Sequence, residues 1–233
     1  MDGKKEFDFW YAVNNTRVIL LPSSHLETFG NTNLNYHLIT ELMDATNQVR
    51  VRNGRLQASR PQLITPAAYA KTVLEGFSDK AREYVDWLKR HERDLRILEY
   101  GYSLKQESIK QHIVADKLEV VIESVTQQVK ASTDPLAAVI VGVEEPWDVC
   151  LVKLFWEVIQ RSVQTNILEM NKKRLFDDLN GVPRGIRQNI EEAFEATALN
   201  PKLIGNLSQL LKENGLFEQY QDRFFSLYRQ LNQ

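Results

Sequence analysis

The chain is short of cysteine, histidine and net charge, and it has no long apolar run. Its one cysteine, Cys150, excludes a disulfide within the chain. A reducing compartment is the natural expectation, and the cytoplasm is the expected location. The N-terminal residues Met1-Asp2-Gly3-Lys4-Lys5-Glu6 lead into a mixed aromatic segment, not the uninterrupted apolar stretch of a signal peptide. Aspartate after Met1 excludes N-myristoylation, which needs glycine there. The apolar runs fall far short of the ~20 residues that a membrane-spanning helix needs, so no membrane association is expected. The 29 Lys and Arg residues are balanced by 31 Asp and Glu. No bulk field exists to draw in nucleic acid, and any such binding needs a local patch.

The motifs of cofactor and metal chemistry are also missing. No glycine-rich loop leads from an expected strand into a helix, and no Gly-Lys-Ser/Thr occurs, so no nucleotide or other cofactor is expected. No Gly-x-Ser-x-Gly elbow supports a seryl nucleophile. His91-Glu92 starts like a zinc-protease helix, but the second ligand position holds Leu95. No metal site is expected.

What remains is ordinary globular material. Of the 233 residues, 43% are hydrophobic and 26% charged. A chain of this length buries roughly 70% of its unfolded surface and needs no covalent staple.

The N-terminal third reads as β-rich. Phe7 to Val13 and Arg17 to Leu21 flank the turn-forming Asn14-Asn15-Thr16, which predicts a hairpin ended by Pro22. Leu34 to Met43 mixes strand and helix periods. Val49-Arg50-Val51-Arg52 and Arg55-Leu56-Gln57-Ala58 flank Asn53-Gly54, the strongest local hairpin signal in the chain. Pro61 and Pro66 close this part.

From Ala67 the apolar period becomes 3.6, and Ala70, Val73, Leu74, Phe77, Ala81, Tyr84, Leu88, Leu95 and Leu98 predict a long helix or two collinear ones. A second long helix is expected over 109–131 and a short one over Leu136–Val141, ended by Gly142. Pro146 opens another, with Trp147, Cys150, Leu151, Leu154, Phe155 and Val158 facing inward and Glu144 and Glu145 at its positive end. Asp177 to Pro183 reads as a loop. Three shorter helices follow, Pro183–Thr197, Pro201–Asn214 and Leu216–Leu231, the middle one stopped by Gly215.

The fold class expected is α+β, predominantly α, with a two-hairpin β-rich N-terminal subdomain, a helical body and short C-terminal helices. The division expected is 1–66, 67–182 and 183–233, or one continuous domain.

The candidate sites are few. A two-residue turn at Asn53-Gly54 puts Arg52 opposite Arg55 and Arg50 opposite Gln57, with Val49, Val51, Leu56 and Ala58 on the other face. Opposed arginines repel, so Arg50, Arg52 and Arg55 suit an anionic partner. The bland alternative is a solvated hairpin, or pairing with nearby carboxylates. Phe217, Tyr220, Phe224, Phe225 and Tyr228 make the last helix aromatic-rich, and Phe217 and Phe225 are candidates for a partner-binding face if the stripe is not simply core. His91 falls on an apolar stripe, where a hydrogen-bonded core histidine competes with a catalytic one. His112, Asp116, Glu119 and Glu123 would line up on one helix, on its solvated side. Cys150 sits within an apolar face and reads as a small hydrophobe.

No convergent catalytic set is visible, so an enzyme is not the favoured expectation. The first expectation is a protein-binding, scaffold or self-association role, with a protein partner or a homo-oligomer. The second is a phosphate-ligand or nucleic-acid-associated protein using the arginine hairpin, although nucleic acid is disfavoured by the charge balance. The third is an enzyme with a site near His91.

Overall fold

A computed structural model describes residues 8–43, 45–63, 74–91, 100–101, 104–179 and 181–231. In chain order the elements are α1 (Phe9–Asn14), β1 (Arg17–Leu20), β2 (Thr32–Glu41), β3 (Gln48–Ala58), β4 (Gln62–Leu63), β5 (Leu74–Glu75), α2 (Asp79–His91), β6 (Tyr100–Gly101) and β7 (Leu104–Ala115). They continue with α3 (Leu118–Ser132), β8 (Ala137–Gly142), α4 (Trp147–Lys172), β9 (Asp178–Leu179), β10 (Val182–Pro183), α5 (Arg184–Leu199), α6 (Ile204–Glu213) and α7 (Phe217–Leu231). Two compact units share these elements. One draws on Met1–Arg60, Val73–Leu95 and Ser103–Asn166, the other on Pro61–Thr72, Arg96–Tyr102 and Ile167–Gln233.

The first unit is built on a six-stranded mixed sheet in the order β1-β8-β2-β3-β7-β5. β2 runs parallel to β8, and β5 to β7; the other neighbours are antiparallel. This sheet overturns the expected fold class. The chain is a balanced mixture of helix and strand, not predominantly α. Three of the strands lie where helices are expected, the two-residue β5 among them. Ala137–Gly142 is buried almost throughout and sits inside the sheet between β1 and β2. A short, continuous apolar run without alternation is what a strand covered on both faces looks like, and periodicity alone does not separate it from a buried helix. Leu104–Ala115 is the long strand β7, and the helix expected over 109–131 starts only at Leu118.

The two expected hairpins are also absent. Phe9–Asn14 is helical because its aromatics pack on α2: Phe9 stacks on Tyr84 at 5.8 Å, and Trp10 meets Trp87 edge-on at 4.7 Å. Asn15 ends that helix by donating its amide to the Tyr11 carbonyl at 2.8 Å. Asn53-Gly54 lies in the middle of β3, which pairs with β2 without interruption from Thr32↔Ala58 to Glu41↔Val49. The connection between them comes earlier, where Asn47 takes a φ of 55°. Gly54 is needed in the strand itself, because a Cβ there would lie 2.6 Å from Cζ of Tyr36 directly across on β2.

Each face of the sheet has its own cover. The crossover from β7 to β8 runs through α3, which lies over β8, β2 and β3. Val121 and Val129 of α3 meet Ile39, Val49, Val51, Val139 and Val141 in one apolar cluster. Leu34, Tyr36, Leu38 and Thr40 point to the opposite face, since strand residues alternate. There α4 approaches β8 so closely that a Cβ at Gly142 would lie 2.5 Å from the Cys150 sulfur. Asp148, in the first turn of α4, accepts from the Ser78 backbone N–H at 2.5 Å and its hydroxyl at 2.9 Å, which anchors the start of α2.

Cys150 is fully buried on α4, and that burial pushes its thiol up from the ordinary range. Native protein should therefore react slowly with a thiol reagent and denatured protein fast. Rapid labelling without denaturant would contradict this placement.

The helix expected from Ala67 to Leu98 does not run through its first half, because Leu74–Glu75 within it is the strand β5, paired with β7. Positions 64–73 and 92–99 lie outside the described residues, and α2 covers Asp79–His91 between them.

The second unit is mostly helical. Its core contains Ile186, Ile190 and Phe194 of α5, Leu207 and Leu211 of α6, and Phe224 of α7. Phe194 stacks on Tyr220 at 5.8 Å, and the Arg223 guanidinium lies over the Phe194 ring, 4.2 Å from its centroid. Within the segment read as a loop over Asp177–Pro183, Asp178–Leu179 and Val182–Pro183 are short antiparallel strands. Leu179 pairs with Val182, and Gly181 has a φ of 78°, a conformation that glycine adopts without strain.

Candidate functional site

The arginines of β3 separate. Arg50 and Arg52 share the α4 face because they are two residues apart on one strand. Arg55 is exposed on the opposite face, across from Glu107 of β7. The three do not form one patch, because the strand continues through Asn53-Gly54 instead of folding back.

The anion that Arg50 and Arg52 meet is internal. Glu144, in the turn between β8 and α4, accepts from both. Arg52 makes a two-pronged contact, Nη2 to Oε1 at 2.9 Å and Nη1 to Oε2 at 3.1 Å, and Arg50 Nη1 joins it at Oε1. The Thr40 hydroxyl donates to Glu144 at 2.7 Å and accepts from Arg52 at 3.0 Å. The Arg52 guanidinium also lies 5.2 Å from the Trp147 ring centroid. Burial pushes the Glu144 carboxyl up, but the bonds from Arg52 and Thr40 and the charges of Arg52 and Arg50 outweigh it, leaving its pKa below the ordinary value. This cluster ties the ends of the parallel strands β2 and β8 to β3 and to the start of α4.

On the α3 face the strands and α3 enclose a groove of about 230 Å³. His37, Asn53 and His112 stand on its strand side, with Asp116, Ser124 and Gln128 on the helix side. The His37 Nδ1 lies 2.8 Å from the Asn53 amide oxygen. An amide oxygen only accepts, so His37 is the donor in this bond. His112, Asp116, Glu119 and Glu123 do not share a helix. His112 belongs to β7, Asp116 to the turn, and only the two glutamates to α3. Among the described residues, no three His, Cys, Asp or Glu side chains are grouped to hold a metal ion.

No family model, no curated protein and no solved structure matches the chain.

The feature without a sequence signal is the edge of β7. Of its twelve residues, β5 pairs with Leu104 and Lys105 only. Among the described residues, no strand lies along the outer side of positions 106–115. Ile109 and Ile113 are 43% and 52% exposed there. Lys110 pairs with Asn53 and Gln111 with Arg52, so Gln111 and Ile113 share one face while Lys110 and His112 share the other; between Lys110 and Glu107 the pairing with β3 shifts by a residue, and simple alternation stops there.

The aromatic candidates lie in the second unit. Phe217 packs on Phe224 at 5.5 Å and is approached by the Lys212 ammonium at 5.5 Å. Phe225 is 44% exposed and meets both rings edge-on, at 6.4 and 5.6 Å. His91 is the last residue of α2, and its side chain lies outside the described residues. No helix among the described residues is long and apolar enough to cross a membrane.

Proposed function

We propose that the protein is a binding module that docks an extended polypeptide segment along the free edge of β7. The observation that carries this reading is the stretch 106–115, along which no strand lies among the described residues, with Ile109 and Ile113 exposed on it. An unpaired strand edge offers a row of backbone donors and acceptors, and apolar side chains at alternate positions add specificity to a strand that joins it. Burying an isoleucine contributes about 1.5–3 kcal/mol. The phosphate-ligand alternative has less support, since Glu144 already occupies Arg50 and Arg52.

The test is selection of binders from a library of unstructured peptides, followed by hydrogen exchange on the complex. Bound peptide should slow amide exchange within 106–115, and Ile113→Lys should weaken binding by roughly tenfold or more. Selected peptides that protect α7 around Phe217 and Phe225, and leave β7 unchanged, would overturn the reading and favour the aromatic face.

A further inference from the structure

We infer that the groove between α3 and the sheet is a binding site for a small aliphatic carboxylate. It is separate from the outer edge of β7, because it is formed by side chains on the α3 face.

The groove is polar at one end and apolar at the other. The chain turns back after Ala115, so α3 starts beside the end of β7. The Asn35 amide donates to the Asp134 carboxylate at 2.7 Å, which places the residues after α3 beside the first half of β2. The helix therefore runs back along the sheet, against the direction of β7. Near its start the lining is Val114, Val120 and Val121; towards its end it is His37, Asn53 and Gln128. The helix rises about 10 Å from Val121 to Gln128. The volume of about 230 Å³ has room for about eight water-sized groups. An apolar floor with a few convergent polar groups suits a small molecule that has a tail and a head.

The polar end is rich in donors. The Asn53 oxygen is taken by His37, so the rest of that amide is an NH₂ group, which only donates. Lys110 pairs with Asn53 across the sheet, which sets its exposed ammonium on the same face as His112. Donors beside a cation select an oxyanion head. The acid that lines the groove, Asp116, stands at the opposite end, and one of its oxygens accepts from the Lys117 backbone N–H at 2.7 Å. Its charge favours the same orientation, head towards His37 and tail over the valines.

Two departures from strand chemistry meet at that end. Asparagine is a poor strand former, yet Asn53 occupies the middle of β3 and holds the His37 ring. Directly beside it the β3–β7 register shifts, between Lys110 and Glu107. Bulges are over-represented next to binding and active sites, where they re-aim side chains, and chains break local rules where function requires it.

The experiment titrates the full chain with hexanoate and follows the valine methyl and imidazole signals by NMR. Val121, Val125, His37 and His112 should shift saturably, with a Kd of about a millimolar or below. Hexanamide has the same shape without the charge and should bind roughly fivefold more weakly. Lys110→Gln should shrink that difference and leave hexanamide binding unchanged. Ser124→Trp, at an exposed position on the α3 wall, should fill the groove and abolish binding. No saturable shift of these signals up to about 20 mM hexanoate overturns the site, as does binding that survives Ser124→Trp. Equal affinity for hexanoate and hexanamide overturns the anionic head, and inorganic phosphate binding as tightly as hexanoate overturns the aliphatic tail.

Discussion

Replacing Glu144 with alanine should destabilise the protein by about 3–5 kcal/mol, because it leaves two guanidinium groups without their anion. Arg52 is the decisive partner, since its side chain is almost wholly buried and its two-pronged contact with Glu144 has no counterpart in water. Removing one member of a buried ion pair costs more than the pair itself contributes. Glu144→Gln should cost less, because the amide keeps the shape and can still accept at one oxygen.

The comparison of wild type with Glu144→Gln also has a defined pH dependence. The folded-state pKa of Glu144 lies below its ordinary value of 4.5. The folded protein thus holds the charged form more tightly than the unfolded chain does. That part of the stability is complete above about pH 4.5 and is lost as the pH falls through the lower folded value. Urea midpoints measured from pH 7 downward should show a constant gap between the two proteins above the ordinary carboxyl range, then a narrowing one in acid. A gap independent of pH to below 3 would show that the charge of Glu144 is immaterial.

The cluster shows why the sequence carried only half of the site. Val49, Val51 and the intervening Arg50 and Arg52 display a period of two, which is enough to place both arginines on one strand face. Their partner lies 92 residues from Arg52, in a turn that reads locally as a carboxylate at the positive end of a helix. No pattern within a window connects them. The same limit explains β8, whose continuous apolar run acquires its strand identity from β1 and β2 on either side. It explains the Asn-Gly pair of β3 as well. At 53–54 ten consecutive cross-strand pairings with β2 override the local turn preference. Beside Gly181 the paired strands are only two residues long, and there the chain does turn back. Signals for helix ends survived better. Asn200 accepts from the Lys202 backbone N–H, Pro201 opens the turn before α6, and Gly215, after α6, has a φ of 66°. A cap is decided by its immediate neighbours, so local sequence suffices for it.

Tyr36 offers the second large effect, and it separates what the ring does from what the hydroxyl does. The side chain is fully buried in the middle of β2 and spans Gly54 of β3. Tyr36→Ala should cost about 3–5 kcal/mol through lost burial and the cavity left behind. The hydroxyl has no hydrogen-bond partner among the described residues. Tyr36→Phe removes a buried polar atom that nothing satisfies, so it should leave the urea midpoint unchanged or raise it. Burial pushes the phenol up to about 12, with Arg52 opposing it. The folded state therefore favours the neutral phenol. Its contribution is intact below the ordinary phenol value of 10 and is lost as the pH rises toward 12, and Tyr36→Phe should be free of that alkaline loss. Gly54→Ala tests the same contact from the other strand. Its new methyl would overlap the Tyr36 ring and should cost about 1–3 kcal/mol in the wild-type background. In the Tyr36→Ala background the ring is gone, and the second substitution should cost almost nothing. A double-mutant cycle reads this coupling directly. Additive effects of the two substitutions would mean that Gly54 does not lie beneath Tyr36, and would return Asn53-Gly54 to a turn. A strong coupling between positions 36 and 54, with Tyr36→Phe harmless, requires the long antiparallel pairing of β2 with β3 on which the Arg50–Arg52–Glu144 cluster and the exposed β7 edge both depend.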